Sequence, residues 1–166
     1  PLSRMAISLY LPGKTGLCSC HAAGFDDLEI SEPGNFAAAP FKPATVLHQR
    51  AFLASVEVDG PKDSGTIAIL GDSISDGSGS TPRANHRWPD FFAERLSARK
   101  GRHWAVANQG IGGNRVLGDG AGESALARFD RDILALPGVK AVIVFEGIND
   151  LGLSFGKKEG PLAQMF

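Results

Sequence analysis

The sequence predicts an α/β protein in which a parallel sheet with helices follows a small antiparallel β region. Thr66 to Leu70 is a run of apolar and β-branched residues without polar alternation, which is typical of a strand buried on both faces of a parallel sheet. Downstream residues alternate between strand-like and helix-like patterns with short connections. Upstream, closely spaced prolines and glycines interrupt short apolar stretches, and this favours antiparallel β structure.

The first 63 residues form the predicted β-rich region. Its predicted short strands are the apolar stretches Ile7 to Leu11, Phe36 to Ala39 and Phe52 to Val58. Proline and glycine separate these stretches at Pro12-Gly13, Pro33-Gly34, Pro40, Pro43 and Gly60-Pro61. The composition changes across the segment from Asp59 to Gly65, so we expect a domain edge there. The predicted division is a β-rich accessory region over residues 1–63 and a second domain over residues 64–166.

Five elements follow in the second region, beginning with the strand from Thr66 to Leu70. A helix is predicted from Pro89, because proline suits the first turn of a helix, and it ends at Gly101. Its predicted stripe is Trp88, Phe91, Phe92, Leu96 and Arg99. A second helix, Ser124 to Leu136, carries Leu126, Phe129, Ile133 and Leu136 on one face. The other two elements are strands, Trp104 to Asn108 and Val139 to Phe145.

The composition excludes several classes of function. The 17 lysines and arginines nearly balance the 18 aspartates and glutamates, so no strong field would attract nucleic acid or an anionic membrane. The longest apolar runs have strand length and are too short to span a bilayer. Cys18 and Cys20 flank one residue, and no second pair completes a zinc site. We therefore expect a small neutral substrate, no nucleic-acid partner, no membrane span, no metal and no cofactor.

The turns after the three predicted strands carry the residues that suggest chemistry. In open α/β sheets the ligand lies beyond the carboxyl ends of the strands. These turns contain Gly71-Asp72-Ser73-Ile74, Asn108-Gln109-Gly110-Ile111-Gly112-Gly113-Asn114 and Gly147-Ile148-Asn149-Asp150. With three such blocks in this order, the sequence resembles the SGNH, or GDSL, family of serine esterases and acylhydrolases, over the N-terminal part of the family's domain.

The resemblance implies a three-layer α/β/α, flavodoxin-like parallel sheet that is incomplete in this chain. It also implies that Ser73 is the nucleophile and that Gly113 and Asn149 belong to the oxyanion hole. A serine at a sharp strand end is exposed to substrate, with its own N–H free to point at the reacting carbonyl. A glycine lets substrate approach its N–H closely, and a neutral amide donates where an aspartate would repel an oxyanion.

Each of these residues also has a purely structural interpretation. Ser73 could serve as the N-cap of the next helix, Gly113 could serve only a tight turn, and Asn149 could cap a turn. Asp72 and Asp150 are expected to anchor their loops through backbone N–H groups, so they are left out of the catalytic residues. A loop salt bridge is the expected role of Arg115, with a substrate carboxylate or sugar hydroxyl as the alternative.

The resemblance also implies a general base and an acid, from a late Asp-x-x-His block. None of the four histidines, His21, His48, His86 and His103, follows an aspartate at that spacing. We expect these groups to come from a C-terminal remainder of the polypeptide or from a second chain. A three-stranded parallel sheet also leaves a hydrophobic edge that further strands should cover.

The leading hypothesis is a serine carboxylic ester hydrolase that acts on short acyl or acetyl esters through an acyl-enzyme. Similarity to a subgroup of bacterial extracellular esterases implies a small ester or acylated carbohydrate as substrate and secretion as the localisation. The alternative is an inactive or truncated relative that binds carbohydrate. Nucleotide binding is weakly supported, because the third glycine of a Gly-x-Gly-x-x-Gly motif would fall on Arg115.

Overall fold

A computed structural model describes residues 5–17 and 20–154 of the chain. Contacts between Cα atoms divide the chain into two units, Pro1–Val56 with Thr81–Arg83, and Glu57–Ser80 with Ala84–Phe166. No helix in the described ranges is long and apolar enough to cross a membrane. Cys18, one of the two cysteines considered for a metal site, lies outside these ranges.

The first unit contains two small antiparallel sheets. Strand β1 (Cys20–His21) pairs with β4 (Arg50–Ala51), and β2 (Leu28–Ile30) pairs with β3 (Thr45–Leu47). Antiparallel β structure is therefore confirmed, but its position is not the one that the apolar stretches predicted. Residues 5–11 form no strand, and Ile7 and Leu9 are exposed. Apolar character alone therefore did not locate the strands of this unit.

The second unit is built on a three-stranded parallel sheet in the order β6-β5-β7. Its strands are β5 (Gly65–Gly71), β6 (Trp104–Gly110) and β7 (Val139–Phe145). The central strand β5 is buried on both faces, as its unbroken apolar run predicted. Gly71 is in register with Gly110 on one side and Phe145 on the other, so the three strands end level with one another.

Four short helices connect and follow these strands. They are α1 (Ser73–Asp76), α2 (Trp88–Ser97), α3 (Ala125–Phe129) and α4 (Ile148–Ser154). Pro89 is the second residue of α2, and Phe91, predicted to lie on the apolar stripe, is 44% exposed. The helix contributes a narrower buried face than its sequence suggested.

The predicted second helix changes type halfway along. Residues Ala125–Phe129 are α-helical, and Asp130–Leu134 form one turn of π-helix. Ala125 and Ile133 pack with Ala68 and Leu70 of β5, while Leu126 is 69% exposed. The prediction that Leu126 belongs to the buried face was wrong, because Ala125, one residue earlier, takes the position against β5.

Candidate active site

The first of the three turns places Ser73 at the start of α1. Asp72 is the N-cap residue of this helix, and its buried Oδ1 accepts a hydrogen bond from Ile74 N at 2.9 Å. Capping is therefore done by Asp72, and Ser73 occupies the first helical position, partly exposed. Within the described chain, neither the hydroxyl nor the N–H of Ser73 makes a hydrogen bond.

The second turn, after β6, is joined to the first by hydrogen bonds from its backbone. Ile111 N donates to Gly71 O at 3.0 Å, and Gly112 N donates to the buried Asp76 Oδ2 at 2.8 Å. A Cβ at Gly110 would lie 2.5 Å from Asp76 N, so only glycine allows this close approach. The two loops are consequently packed backbone to backbone.

Gly113 lies at the outer end of this second turn, with a positive φ of 77°. Asn114 N closes the turn by donating to Ile111 O at 3.0 Å, and this leaves the N–H of Gly113 without an acceptor in the described chain. The neighbouring N–H groups of Ile111, Gly112 and Asn114 all have acceptors. The free donor of this turn is therefore at the position predicted for the oxyanion hole.

The third turn carries Asn149 on the first turn of α4. Asn149 Nδ2 donates to Asn114 O at 2.8 Å, which fixes the amide beside the second turn. The amide nitrogen has two hydrogens, and the second has no acceptor in the part of the chain that the structure describes. The neighbouring Asp150 is buried and accepts from Val116 N at 2.9 Å and Leu117 N at 3.4 Å, so it anchors the loop as expected.

A cavity of about 440 Å³ lies beside this arrangement. It is lined by Gly113, Arg115, Gly120, Ala121, Ile148, Asn149 and Gly152. Two of the three predicted catalytic residues, Gly113 and Asn149, therefore face the same space. Ser73 does not line the cavity. The turn that carries Ser73 is hydrogen-bonded to the second turn, which does contribute to the cavity lining.

A buried arginine supports the three turns from below. Arg128 is 1% exposed, and its guanidinium donates to Asn114 Oδ1 at 2.8 and 3.0 Å. It also donates to Gln109 O at 2.8 Å and Gly71 O at 3.3 Å, the carbonyls at the ends of β6 and β5. One side chain thus holds two strand ends and the asparagine whose carbonyl positions Asn149.

Glu146 adds a buried carboxyl group at the end of β7. Neither of its oxygens is exposed, and neither has a hydrogen-bond partner of good geometry in the described chain. Burial, and next the charge of Asp72, raise its pKa from 4.5 to about 7, although Arg128 acts in the opposite direction. Glu146 therefore holds its proton more strongly than an exposed glutamate does.

The histidines do not complete this site. His103 precedes β6, where its carbonyl accepts from Gly65 N at the opposite end of β5 from Ser73, roughly 20 Å away along a seven-residue strand. His86 is exposed and stacks on Phe91. His21 and His48 belong to the first unit, where His48 Nδ1 lies 2.9 Å from Asp27 Oδ1.

Sequence reasoning missed the residues that hold the site together. Asp76, Asn114, Arg128 and Glu146 were not singled out, although Asn114 is the last residue of the second sequence block. The arginine lies within the segment from Ser124 to Leu136, for which only the apolar face was predicted. An arginine four residues after the serine cap of a helix gives no sequence signal that it will be buried.

The comparison with known protein families agrees with the sequence blocks. A sequence profile of the GDSL-like Lipase/Acylhydrolase family matches residues 69–165. No curated protein sequence matches the chain. Among solved structures, AlinE4, an SGNH-hydrolase family esterase, is similar at 23% identity and a TM-score of 0.46, over 57% of this chain and 46% of AlinE4.

A lipase/acylhydrolase from Enterococcus faecalis is also similar, at 25% identity and a TM-score of 0.40, over 52% of this chain and 40% of that protein. The chain therefore spans less than half the length of either solved structure.

Proposed function

The chain belongs to the GDSL-like lipase and acylhydrolase family, and from this premise we propose that it carries the nucleophile and oxyanion hole of a serine carboxylic ester hydrolase. Ser73 is the proposed nucleophile. The proposed oxyanion donors are the backbone N–H groups of Ser73 and Gly113 and the side-chain amide of Asn149.

The observation that carries this proposal is the distribution of free donors. Around the three turns, the N–H groups of Ile74, Ile111, Gly112 and Asn114 all have protein acceptors. Those of Ser73 and Gly113, with one N–H of Asn149, have none in the described chain. Ser73 begins α1, where N–H groups lack acceptors within the helix, so an anion held at this position can accept from it. Unpaired donors on three adjacent turns are what an oxyanion hole requires.

The chemistry follows from this arrangement. Ser73 Oγ attacks the carbonyl carbon of a short acyl or acetyl ester, and this carbon becomes tetrahedral. The former carbonyl oxygen becomes an oxyanion, which accepts the three hydrogen bonds. Collapse of this intermediate expels the alcohol and leaves an acyl group on Ser73. Water then attacks the acyl-enzyme through a second tetrahedral intermediate and releases the acid.

A base must take the proton from Ser73 Oγ as it attacks and then return that proton to the departing alcohol. Ser73 Oγ has no histidine partner within residues 5–17 and 20–154, so we propose that the base and its acid come from a segment outside this chain. The proposed substrate is a small ester or an acylated carbohydrate.

Hydrolysis of p-nitrophenyl acetate by the full natural polypeptide tests this function. Ser73→Ala is expected to abolish turnover, because no other group replaces the nucleophile. Ser78→Ala is the matched control, since Ser78 is an exposed serine of the same turn whose backbone N–H donates to Ser73 O. A folded Ser73→Ala protein with full activity would refute the proposal. A wild-type protein without activity that still binds carbohydrate would favour the binding alternative.

A further inference from the structure

Arg115 is the one lining residue of the cavity that carries a charge. It follows Gly113 and Asn114 directly, is partly buried, and shares the cavity with Asn149. Its backbone carbonyl accepts from Ala125 N at 2.8 Å, which fixes the backbone at this position. The guanidinium itself makes no hydrogen bond or ion pair with any described residue. The salt bridge expected from the sequence is therefore not found.

The guanidinium is nevertheless held in place by the loop that follows. It packs against a glycine-rich turn, where a Cβ at Gly120 would lie 2.7 Å from Arg115 Nη2 and one at Gly118 would lie 3.4 Å from Cζ. A side chain at position 120 would displace the guanidinium, and one at position 118 would crowd it less. Because neither glycine has a side chain, the planar guanidinium can pack against the backbone of this turn, beside the cavity.

The acidic residues in or beside the loop that carries Arg115 are committed to other partners. Asp150 accepts from the N–H groups of Val116 and Leu117, and Asp119 accepts from Ser124 N at 2.8 Å. Two other arginines of this unit are paired with carboxylates: Arg128 with Asp132, and Arg131 with Asp132 and Glu123. Arg115 therefore differs from them in having a positive charge that no described carboxylate neutralises.

We propose that Arg115 binds a free carboxylate of the substrate, in a subsite adjacent to the oxyanion donors. A guanidinium presents a rigid fork of N–H donors that matches a carboxylate, and partial burial strengthens that pairing. The cavity volume of about 440 Å³ suits a small acid group with a few connecting atoms. This inference rests on the proposed esterase function and narrows its substrates to esters that carry a carboxylate near the scissile bond.

Such a carboxylate has two sources, the alcohol part or the acyl part of the ester. The alcohol arm of the test compares 4-acetoxybenzoate with phenyl acetate, and the acyl arm compares p-nitrophenyl hemisuccinate with p-nitrophenyl butyrate. For each pair the quantity measured is the ratio of kcat/KM for the charged ester to that for the neutral ester. The arm in which wild type prefers the charged ester identifies the source.

In that arm, Arg115→Gln is expected to lower the ratio by about 10- to 100-fold, the value of a lost charge-assisted hydrogen bond. Arg102→Gln is the matched control, because it removes the same charge from an arginine that lies over Trp104, where β6 begins. The control should leave the ratio unchanged. Equal losses for charged and neutral esters, or an unchanged ratio in both arms, would show a structural role for Arg115 and overturn the inference.

A binding measurement separates this inference from the proposed function. The Ser73→Ala protein is titrated with 4-acetoxybenzoate and, separately, with p-nitrophenyl hemisuccinate. Binding of each ester is followed by NMR. Binding of one carboxylate that disappears in Ser73→Ala/Arg115→Gln supports the subsite even if wild type hydrolyses nothing, in which case only the esterase proposal fails. Binding that is equal in the two proteins, or absent from both, overturns the subsite even if wild type is an active esterase.

Discussion

At the scale of single residues, buried carboxylates determine which backbone donors remain available. Asp72 takes the N–H of Ile74, and Asp76 takes that of Gly112. Asp150 takes the N–H groups of Val116 and Leu117. These side chains are each no more than 3% exposed, so their hydrogen bonds are well shielded from water. The loops are held rigid while the donors of Ser73 and Gly113 stay unpaired.

Asn149 offers a direct test of the side-chain donor. Asn149→Ala should lower kcat by about 100- to 1,000-fold with a smaller change in KM, because the lost hydrogen bond strengthens mainly in the transition state. Asn149→Asp should lose at least as much, since its charge would repel the oxyanion. Steady-state kinetics on p-nitrophenyl acetate and thermal unfolding of both variants provide the measurements. A folded Asn149→Asp protein with wild-type kcat would contradict the assignment.

Glu146 should make stability depend on pH. Its pKa is raised from 4.5 to about 7 in the folded protein, chiefly by burial. Below pH 4.5 both folded and unfolded forms are protonated. Above pH 4.5 the unfolded chain ionises this carboxyl freely, whereas the folded protein keeps the proton until about pH 7. The stability associated with the proton is thus fully present below pH 4.5 and is lost as the pH rises from there through about 7.

Glu146→Gln removes that penalty. Relative to wild type, its free energy of unfolding should be near unchanged at low pH and higher by about 1–2 kcal/mol in mildly alkaline solution, allowing for partial screening by water. Urea denaturation across the pH range measures this difference. Glu94→Gln, an exposed glutamate of α2, is the control and should show no such trend. A Glu146→Gln difference that does not vary with pH would contradict the account.

At the scale of elements, the second turn depends on two adjacent glycines that have different requirements. Gly113 has a φ of 77°, and a Cβ there would lie 3.0 Å from Ala121 Cβ. Gly112 has no positive φ, and a Cβ there would lie 3.4 Å from Asp76 Oδ2. A side chain would therefore be strained at Gly113, whereas it would be accommodated at Gly112.

Gly113→Ala should cost about 1–2 kcal/mol of stability and lower esterase activity, because the turn must shift the N–H that binds the oxyanion. Gly112→Ala should cost less in both respects. Chemical denaturation and kcat/KM on p-nitrophenyl acetate give the two comparisons. If the two alanine variants were equally stable and equally active, the special role of the Gly113 backbone would be wrong.

The strands of the parallel sheet were predictable because a strand buried on both faces has an unbroken apolar run in the sequence. The strand from Val139 to Phe145 was placed correctly to the residue, and β5 and β6 extend one or two residues beyond their predictions. The π-turn after Phe129 was not predictable, since it arises from packing against β5 and not from local preference. The positions of β1 to β4 failed for a similar reason, because strands of two or three residues depend on their partners.

The sequence indicated the candidate site residues on the turns, but it did not indicate the buried residues that hold these turns together. Ser73, Gly113 and Asn149 were identified from sequence blocks, and their catalytic roles remain predictions. The network beneath them, in which Arg128 joins Asn114 to two strand ends, depends on a buried charge that no motif in the sequence indicated.

At the scale of the whole molecule, the sheet presents an open edge. Within the described residues β7 pairs only with β5, and Val144 and Phe145 are 63% and 48% exposed. An uncovered hydrophobic strand edge invites pairing with further strands. This edge is consistent with the proposal that another segment completes the sheet and supplies the base and acid.

The proposal that the Ser73 hydroxyl and the oxyanion donors act on one carbonyl group is tested most directly by covalent labelling. The full natural polypeptide is treated with a fluorophosphonate, whose adduct mimics the tetrahedral intermediate. Peptide mapping by mass spectrometry should find the adduct on Ser73. It should be absent from Ser73→Ala and form more slowly in Asn149→Ala. Labelling of a different residue, or unchanged labelling of the Ser73→Ala protein, would contradict the account.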